Sequence, residues 1–266
     1  MWWRREAAIT LDSARRMSQN MNITDPGFQI GPSQSLPEDE VHLWRVDLEA
    51  IGAEESRWQE LLSADESARA ARFHFGRDRQ RFVAGRAFLR IVLASYLATE
   101  PRALSFSYSG KEKPSLSPSY AGSDITFNLS HSGGIALFAF VRHREIGVDV
   151  EQVRNNSDLD AIARRFFSAD EQRQLTALTA AERVDAFFRG WTRKEAFIKA
   201  TGDGLSLPLS QFDVSLAPGE ANALRATRPD EAEAARWLLR EVPAGPGYVA
   251  AICARGLGWK LKDWQQ

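Results

Sequence analysis

The stretch GVDVE, residues 147–151, sets Asp149 and Glu151 two apart, with Val148 and Val150 alternating. In a strand, residues two apart share a face, so both carboxylates point one way and both valines the other. Like charges side by side repel, and need solvent, a cationic partner or a metal ion. Two readings follow: a solvent-facing acidic strand, or a hard-cation site, most simply for Mg2+. That ion takes oxygen ligands and fills its shell with water and substrate phosphates. A third carboxylate stands in WTRKEAFIKATGDGL, residues 191–205. Glu195 and Lys199 lie four apart there and share a helix face. They form either a routine surface pair or a metal ligand beside a phosphate-binding lysine, and Arg193 and Lys194 add charge next to them.

In NLSHSGG (128–134) a serine and a histidine stand at a strand-to-strand turn. Either Ser130 and Ser132 cap the turn while the glycines supply positive φ, or Ser130 and His131 are separate ligands for anionic oxygens. Neighbours on a strand point to opposite faces, which argues against Ser130 and His131 as a nucleophile and its base. Arg69, Arg72, Arg77, Arg79, Arg81, Arg86 and Arg90 form a belt that is either a solvated helix face or a polyanion site. Lys111 and Lys113, ahead of Pro114, add cations in another loop. The histidines show no metal-ligand spacing, Cys253 is the single cysteine, and there is no P-loop or glycine-rich nucleotide fingerprint. Together these residues point to a divalent metal with a phosphorylated ligand. They leave open phosphoryl transfer, diphosphate hydrolysis and nucleotide binding.

The elements that must hold these groups read as an α+β chain. With 266 residues there is room for one large domain or two small ones. A net charge of −1 argues against a nucleic-acid or membrane footprint, and the chain shows no signal peptide and no apolar run of spanning length. The expectation is a cytoplasmic protein. Residues 1–38 read as a mobile leader, with Met21 as an alternative start. Strands are expected at 41–48, 104–109, 125–130 and 134–141, with a long helix over 78–97 and a loop over 110–122. The second half repeats the theme. A strand at 146–151 leads into helices over 158–167, 168–178 and 181–201. Strands follow at 212–216, 235–242 and 248–254. Ser63 with Glu66 and Ser168 with Glu171 are spaced as helix-opening pairs. The expected fold is two pseudo-duplicated α/β halves, 39–145 and 146–266.

The ordered set FNLSHSG (127–133), GVDVE, RFFSADE (165–171) and WTRKEAFIKATGDGLSLPL (191–209) resembles the 4′-phosphopantetheinyl transferases of the Sfp type. The likeness runs from about Val41 to Ala254. It implies two halves related by a pseudo-twofold with the active site between them, and a monomer. It implies Mg2+, coenzyme A as donor, and the serine of an apo acyl or peptidyl carrier protein as acceptor. By motif position, Asp149, Glu151 and Glu195 surround the metal, and Glu195 is also the base. Lys199 binds the α-phosphate and helps the leaving group, while Ser130 and His131 hold the coenzyme A phosphates. Lys113 lies near the adenine, Arg69 and Arg81 take the 3′-phosphate, and Lys194 supports the metal site from behind. The carrier is expected on the helices around 166–178. Glu66 stands where some relatives carry a base. A coenzyme A-binding module without transfer and a Mg2+-dependent diphosphate hydrolase are the alternatives.

Overall fold

The computed structural model describes residues 34–52, 55–108, 114–154, 158–202 and 204–265. The first half runs β1 (Glu40–Asp47), α1 (Leu48–Gly52), α2 (Glu55–Gln59), α3 (Ala64–Ala70) and α4 (Gly76–Leu97), then β2 (Phe106–Tyr108), β3 (Pro114–Leu116), β4 (Ile125–Ser132) and β5 (Ile135–Arg142). The second runs β6 (Ile146–Gln152), α5 (Leu159–Phe166), α6 (Ala169–Ala177) and α7 (Ala180–Thr201), then β7 (Phe212–Val214), β8 (Leu224–Thr227), β9 (Trp237–Glu241) and β10 (Tyr248–Arg255). A last strand, β11 (Lys260–Gln265), closes the chain. The sheet orders are β11-β1-β5-β4 and β6-β10-β9. Setting β11 aside, β1, β5 and β4 match β6, β10 and β9 in order and in antiparallel pairing. The hairpins β2–β3 and β7–β8 fall at the same step of each half.

β5 explains the layering. Ala136, Phe138 and Phe140 join a core with Trp44 and with Phe88 of α4. Ile135, Leu137, Ala139 and Val141 join another with Val148, Val150 and Ile252 of the second sheet. A strand covered on both faces has no polar positions to alternate, hence IALFAFV. The layers are therefore α4, first sheet, second sheet and α7, whose Ala196 and Phe197 pack with Ala251 and Cys253 of β10.

The duplication extends to a buried ion pair. Ser63 caps α3 in a capping box with Glu66, and Ser168 caps α6 in one with Glu171. Each glutamate then binds a buried cation on the long helix of its half. Arg90 Nε lies 2.7 Å from Glu66 and its Nη1 donates to the carbonyls of Pro101 and Leu104, both at 2.9 Å. Lys194 Nζ lies 2.8 Å from Glu171 and donates to the carbonyls of Leu209 and Phe212 at 2.7 and 2.8 Å. Burial works against the Glu66 carboxylate, but Arg86 and Arg90 outweigh it and hold its pKa down.

Several expectations change. Strand β4 continues through His131 and Ser132, so the turn is Gly133–Gly134 alone. β3 and a 3-10 turn occupy the described part of the expected 110–122 loop. Arg86 and Arg90 are buried on Glu66 rather than solvated, because their guanidiniums neutralise that carboxylate inside the core. Of the expected leader, 34–38 is described and is not loose: Leu36 is buried and Gln34 N donates to Ser95 O at 3.1 Å. β11 runs parallel to β1 in the first sheet, so this stretch beyond residue 146 serves the first half. No helix among the described residues is long and apolar enough to cross a membrane.

Glu171→Gln should cost about 3–5 kcal/mol by leaving Lys194 buried without a counter-charge. A urea unfolding midpoint reads this. The double change Glu171→Leu with Lys194→Met should recover most of the loss, because an apolar pair needs no compensation.

Candidate functional site

Helix α7 lies directly on β6 at Gly147. A Cβ there would stand 2.1 Å from Ala196 O and 2.4 Å from Ala200 N, so only glycine permits the approach. Lys194, pinned on the far side of α7, fixes the helix's rotation. Glu195 and Lys199 then face β6. The surface-pair reading of Glu195 and Lys199 gives way: Lys199 Nζ lies 2.6 Å from Asp149 Oδ1, 3.0 Å from Ser130 Oγ and 3.3 Å from Val148 O. The exposed-strand reading of GVDVE fails too, since Asp149 is only 4% exposed.

The second sheet meets the first through side chains. Asn128, Ser130 and Ser132 of β4 share a face and reach β6 in turn. Asn128 Oδ1 accepts from Val148 N at 2.9 Å. Ser130 Oγ donates to Asp149 Oδ1 and Ser132 Oγ to Glu151 Oε2, each at 2.8 Å. The hydrogens of both serines are thus committed to carboxylates, rather than capping the turn. His131, between them, points the other way.

The charges do not balance. Asp149, Glu151 and Glu195 face Lys199. Burial raises all three carboxyl pKa values, and Lys199 only partly offsets it. Glu195 is pushed up to about 6 by burial and then by the negative charge of Asp149 and Glu151. Asp149 Oδ2 is buried with no hydrogen-bond partner. A buried lone carboxylate oxygen beside two further acids fits a hard cation. Among the described residues no three such groups form a ready-made metal cage. The donor set therefore suits an open site whose other ligands come with water or substrate.

Beside the carboxylates a cleft of about 480 Å3 opens between α4 and the β4–β5 hairpin. Arg69, Arg81, Phe73, His131, Ser132 and Gly133 line it. Arg69 stacks over the Phe82 ring at 5.6 Å, and Arg81 pairs with Glu49. Partial desolvation, then Lys199 and Arg81, hold the His131 imidazole below its ordinary pKa. Glu66, at the position where some relatives carry a basic residue, turns into the core and pairs with Arg86 and Arg90. Lys194 sits behind the site: it is fully buried on Glu171 and the carbonyls beyond, on the opposite side of α7 from the carboxylates. Lys111 and Lys113 lie outside the described residues, though Pro114 lines the cleft.

The structure brings together Ser130, Asp149, Glu151, Glu195 and Lys199, and sets Arg69, Arg81 and His131 on the adjoining cleft. Sequence reasoning missed Asn128, Ser132 and Gly147. Their signals were the N-x-S-x-S alternation and a glycine inside a strand.

An acidic cluster with one lysine, beside an arginine-edged cleft in the first half, is a site for a phosphorylated ligand. Family models agree: the 4′-phosphopantetheinyl transferase superfamily matches residues 145–253, and the N-terminal 4′-phosphopantetheinyl transferase model matches 51–142. The chain is 43% identical to the 4′-phosphopantetheinyl transferase HetI of Nostoc sp., over 88% of this chain and 95% of that protein. It is 34% identical to the 4′-phosphopantetheinyl transferase Sfp of Bacillus subtilis, over 76% of this chain and 85% of that one. It is 36% identical to the 4′-phosphopantetheinyl transferase psf-1 of Bacillus pumilus, over 73% and 79%. The chain belongs to the 4′-phosphopantetheinyl transferase family, which is a family of enzymes.

Lys199→Met should raise the Glu195 pKa above its value of about 6, because the lysine's positive charge is what holds it down. Carbon NMR titration of glutamate-labelled protein in metal-free buffer reads this shift.

Proposed function

We propose that this enzyme transfers 4′-phosphopantetheine from coenzyme A to a serine of an apo acyl or peptidyl carrier protein, with Mg2+ as cofactor. The observation that carries the reading is the uncompensated carboxylate cluster beside the cation-edged cleft, in a chain of this family. The coenzyme lies in the cleft with its 3′-phosphate toward Arg69 and Arg81 and its diphosphate toward His131 and Ser130. Lys113 is assigned to the adenine side from its sequence position before Pro114, which lines the cleft.

Asp149, Glu151 and Glu195 would hold the Mg2+, which would supply positive charge to the diphosphate. The acceptor serine oxygen bonds to the β-phosphorus. The bond from that phosphorus to the bridging oxygen breaks, and 3′,5′-ADP departs with the oxygen. Glu195 takes the serine proton, directly or through a water. Without the cation Glu195 has a pKa of about 6, and a share in Mg2+ would lower it, so the carboxylate is ionised at neutral pH and free to accept the proton. Lys199 offsets the charge growing on the α-phosphate of the departing 3′,5′-ADP. Of its contacts to Asp149, Ser130 and Val148, the longest, to Val148 O at 3.3 Å, is the one most readily exchanged for phosphate. Ser130 assists by orienting Asp149, and its hydroxyl must turn to reach a phosphate.

The carrier docks toward the helices around 166–178. The halves divide the work, 39–145 holding coenzyme A and 146–266 the metal and carrier. A net charge of −1 supports a reading without nucleic-acid or membrane partners. The enzyme works as a cytoplasmic monomer.

Intact-mass spectrometry of an apo carrier protein with enzyme, coenzyme A and Mg2+ tests the reaction. A phosphopantetheine mass gain is expected. Chelator should abolish it, and Asp149→Asn or Glu195→Gln should lower the rate at least about a hundredfold. Coenzyme A binding with no gain on several carriers would sink the transfer reading. ADP release without any carrier would favour the hydrolase.

A further inference from the structure

The three β4 side chains that reach β6 are not equivalent. Asn128 holds backbone, at Val148 N. Ser130 shares Asp149 with Lys199, so that carboxylate has two partners besides its burial. Ser132 alone serves Glu151. Its Oγ donates to Glu151 Oε2 at 2.8 Å and accepts from Gln152 N at 3.1 Å. Among the described residues the Glu151 side chain has no other hydrogen-bond partner. It is half-buried and has three side-chain torsions, so without a tether it spreads over several rotamers.

The tether is itself held rigidly. Ser132 pairs with Ile135 in the β4–β5 ladder. The next residue, Gly133, has φ +56°, and a Cβ there would stand 2.6 Å from Tyr248 Oη and 2.8 Å from Gln152 Oε1. Tyr248 Oη also accepts from Gly134 N at 3.3 Å. The hairpin tip is therefore clamped by residues of the second half. Ser132 and Gly133 also line the cleft. One hydroxyl spans the coenzyme side of the site and its carboxylate side.

We propose that Ser132 is a positioning residue, which fixes the Glu151 carboxylate for the cation and ties that carboxylate to the hairpin bordering the cleft. The inference rests on the metal role of Glu151 given above. Hydrogen-bond partners of metal-binding carboxylates typically change metal affinity or activity by about 10–100-fold when removed.

The test uses the full chain as wild type, Ser132→Ala, Ser132→Thr and Glu151→Ala. Carrier modification is followed across a Mg2+ titration, and Mn2+ binding by electron paramagnetic resonance with coenzyme A present. Ser132→Ala should raise the half-saturating Mg2+ concentration about tenfold or more. Mn2+ affinity should fall in step, with the coenzyme A KM at saturating Mg2+ and the melting midpoint near wild type. Ser132→Thr, which keeps the hydroxyl, should restore metal affinity. Unchanged metal dependence in Ser132→Ala would overturn the proposal. So would a rise confined to the coenzyme A KM, which would make the hydroxyl a ligand of the coenzyme. A fall in melting midpoint that accounts for the lost activity would reduce Ser132 to a structural role. Wild-type metal dependence in Glu151→Ala would remove the metal role on which the inference stands, a failure visible apart from the others.

Discussion

The buried pair of Lys194 and Glu171 sets the rotation of α7, and the site depends on that rotation. Both groups are fully buried, and each finds further partners: the lysine two carbonyls, the glutamate the amides of Ser168 and Val214. Leaving either alone would expose a charge to the interior at a cost of several kcal/mol. The helix therefore has one comfortable orientation. In it, the residue after Lys194 is Glu195, and Lys199 lies one turn further along the face turned toward β6. Gly147 then lets the helix settle onto the strand without a side chain between them. Arg90 and Glu66 repeat the device in the first half, so that α4 is fixed against its own sheet in the same way.

The two halves then do different things with one plan. Trp44 of β1 and Asp149 of β6 both face the long helix of their half, one joined to an apolar core and the other to Lys199. The first half turns its polar groups outward, along the cleft and along β4. The second turns its acids inward, toward β4. The join between sheets is polar where it carries chemistry, through Asn128, Ser130 and Ser132, and apolar where it carries stability, through Leu137, Val148 and Ile252. Negative charge is left in excess, and one buried oxygen of Asp149 is left unsatisfied. That arrangement is costly for an empty protein and useful for one that receives a cation with its substrate.

Much of this was legible in the sequence. GVDVE and the Glu195–Lys199 spacing located the site, and the paired Ser/Glu signatures located both helix starts, because these signals are local. The misreadings share a cause: they depend on what lies far away in the chain. Arg86 and Arg90 read as either solvated or polyanion-binding because Glu66 sits some twenty residues earlier. Lys260–Gln265 carries an exposed, charged pattern and becomes a strand only by pairing with β1 at the other end of the described chain. Ser132 read as turn because two glycines follow it, yet the ladder to Ile135 keeps it in the strand.

In the proposed reaction the protein half-builds an open cation site and the coenzyme's diphosphate completes it. Mn2+ affinity measured by isothermal titration, with and without coenzyme A, tests it most directly. Weak binding alone that tightens at least about tenfold with coenzyme A is the predicted result. Equally tight binding without the coenzyme, or no binding in its presence, would contradict it.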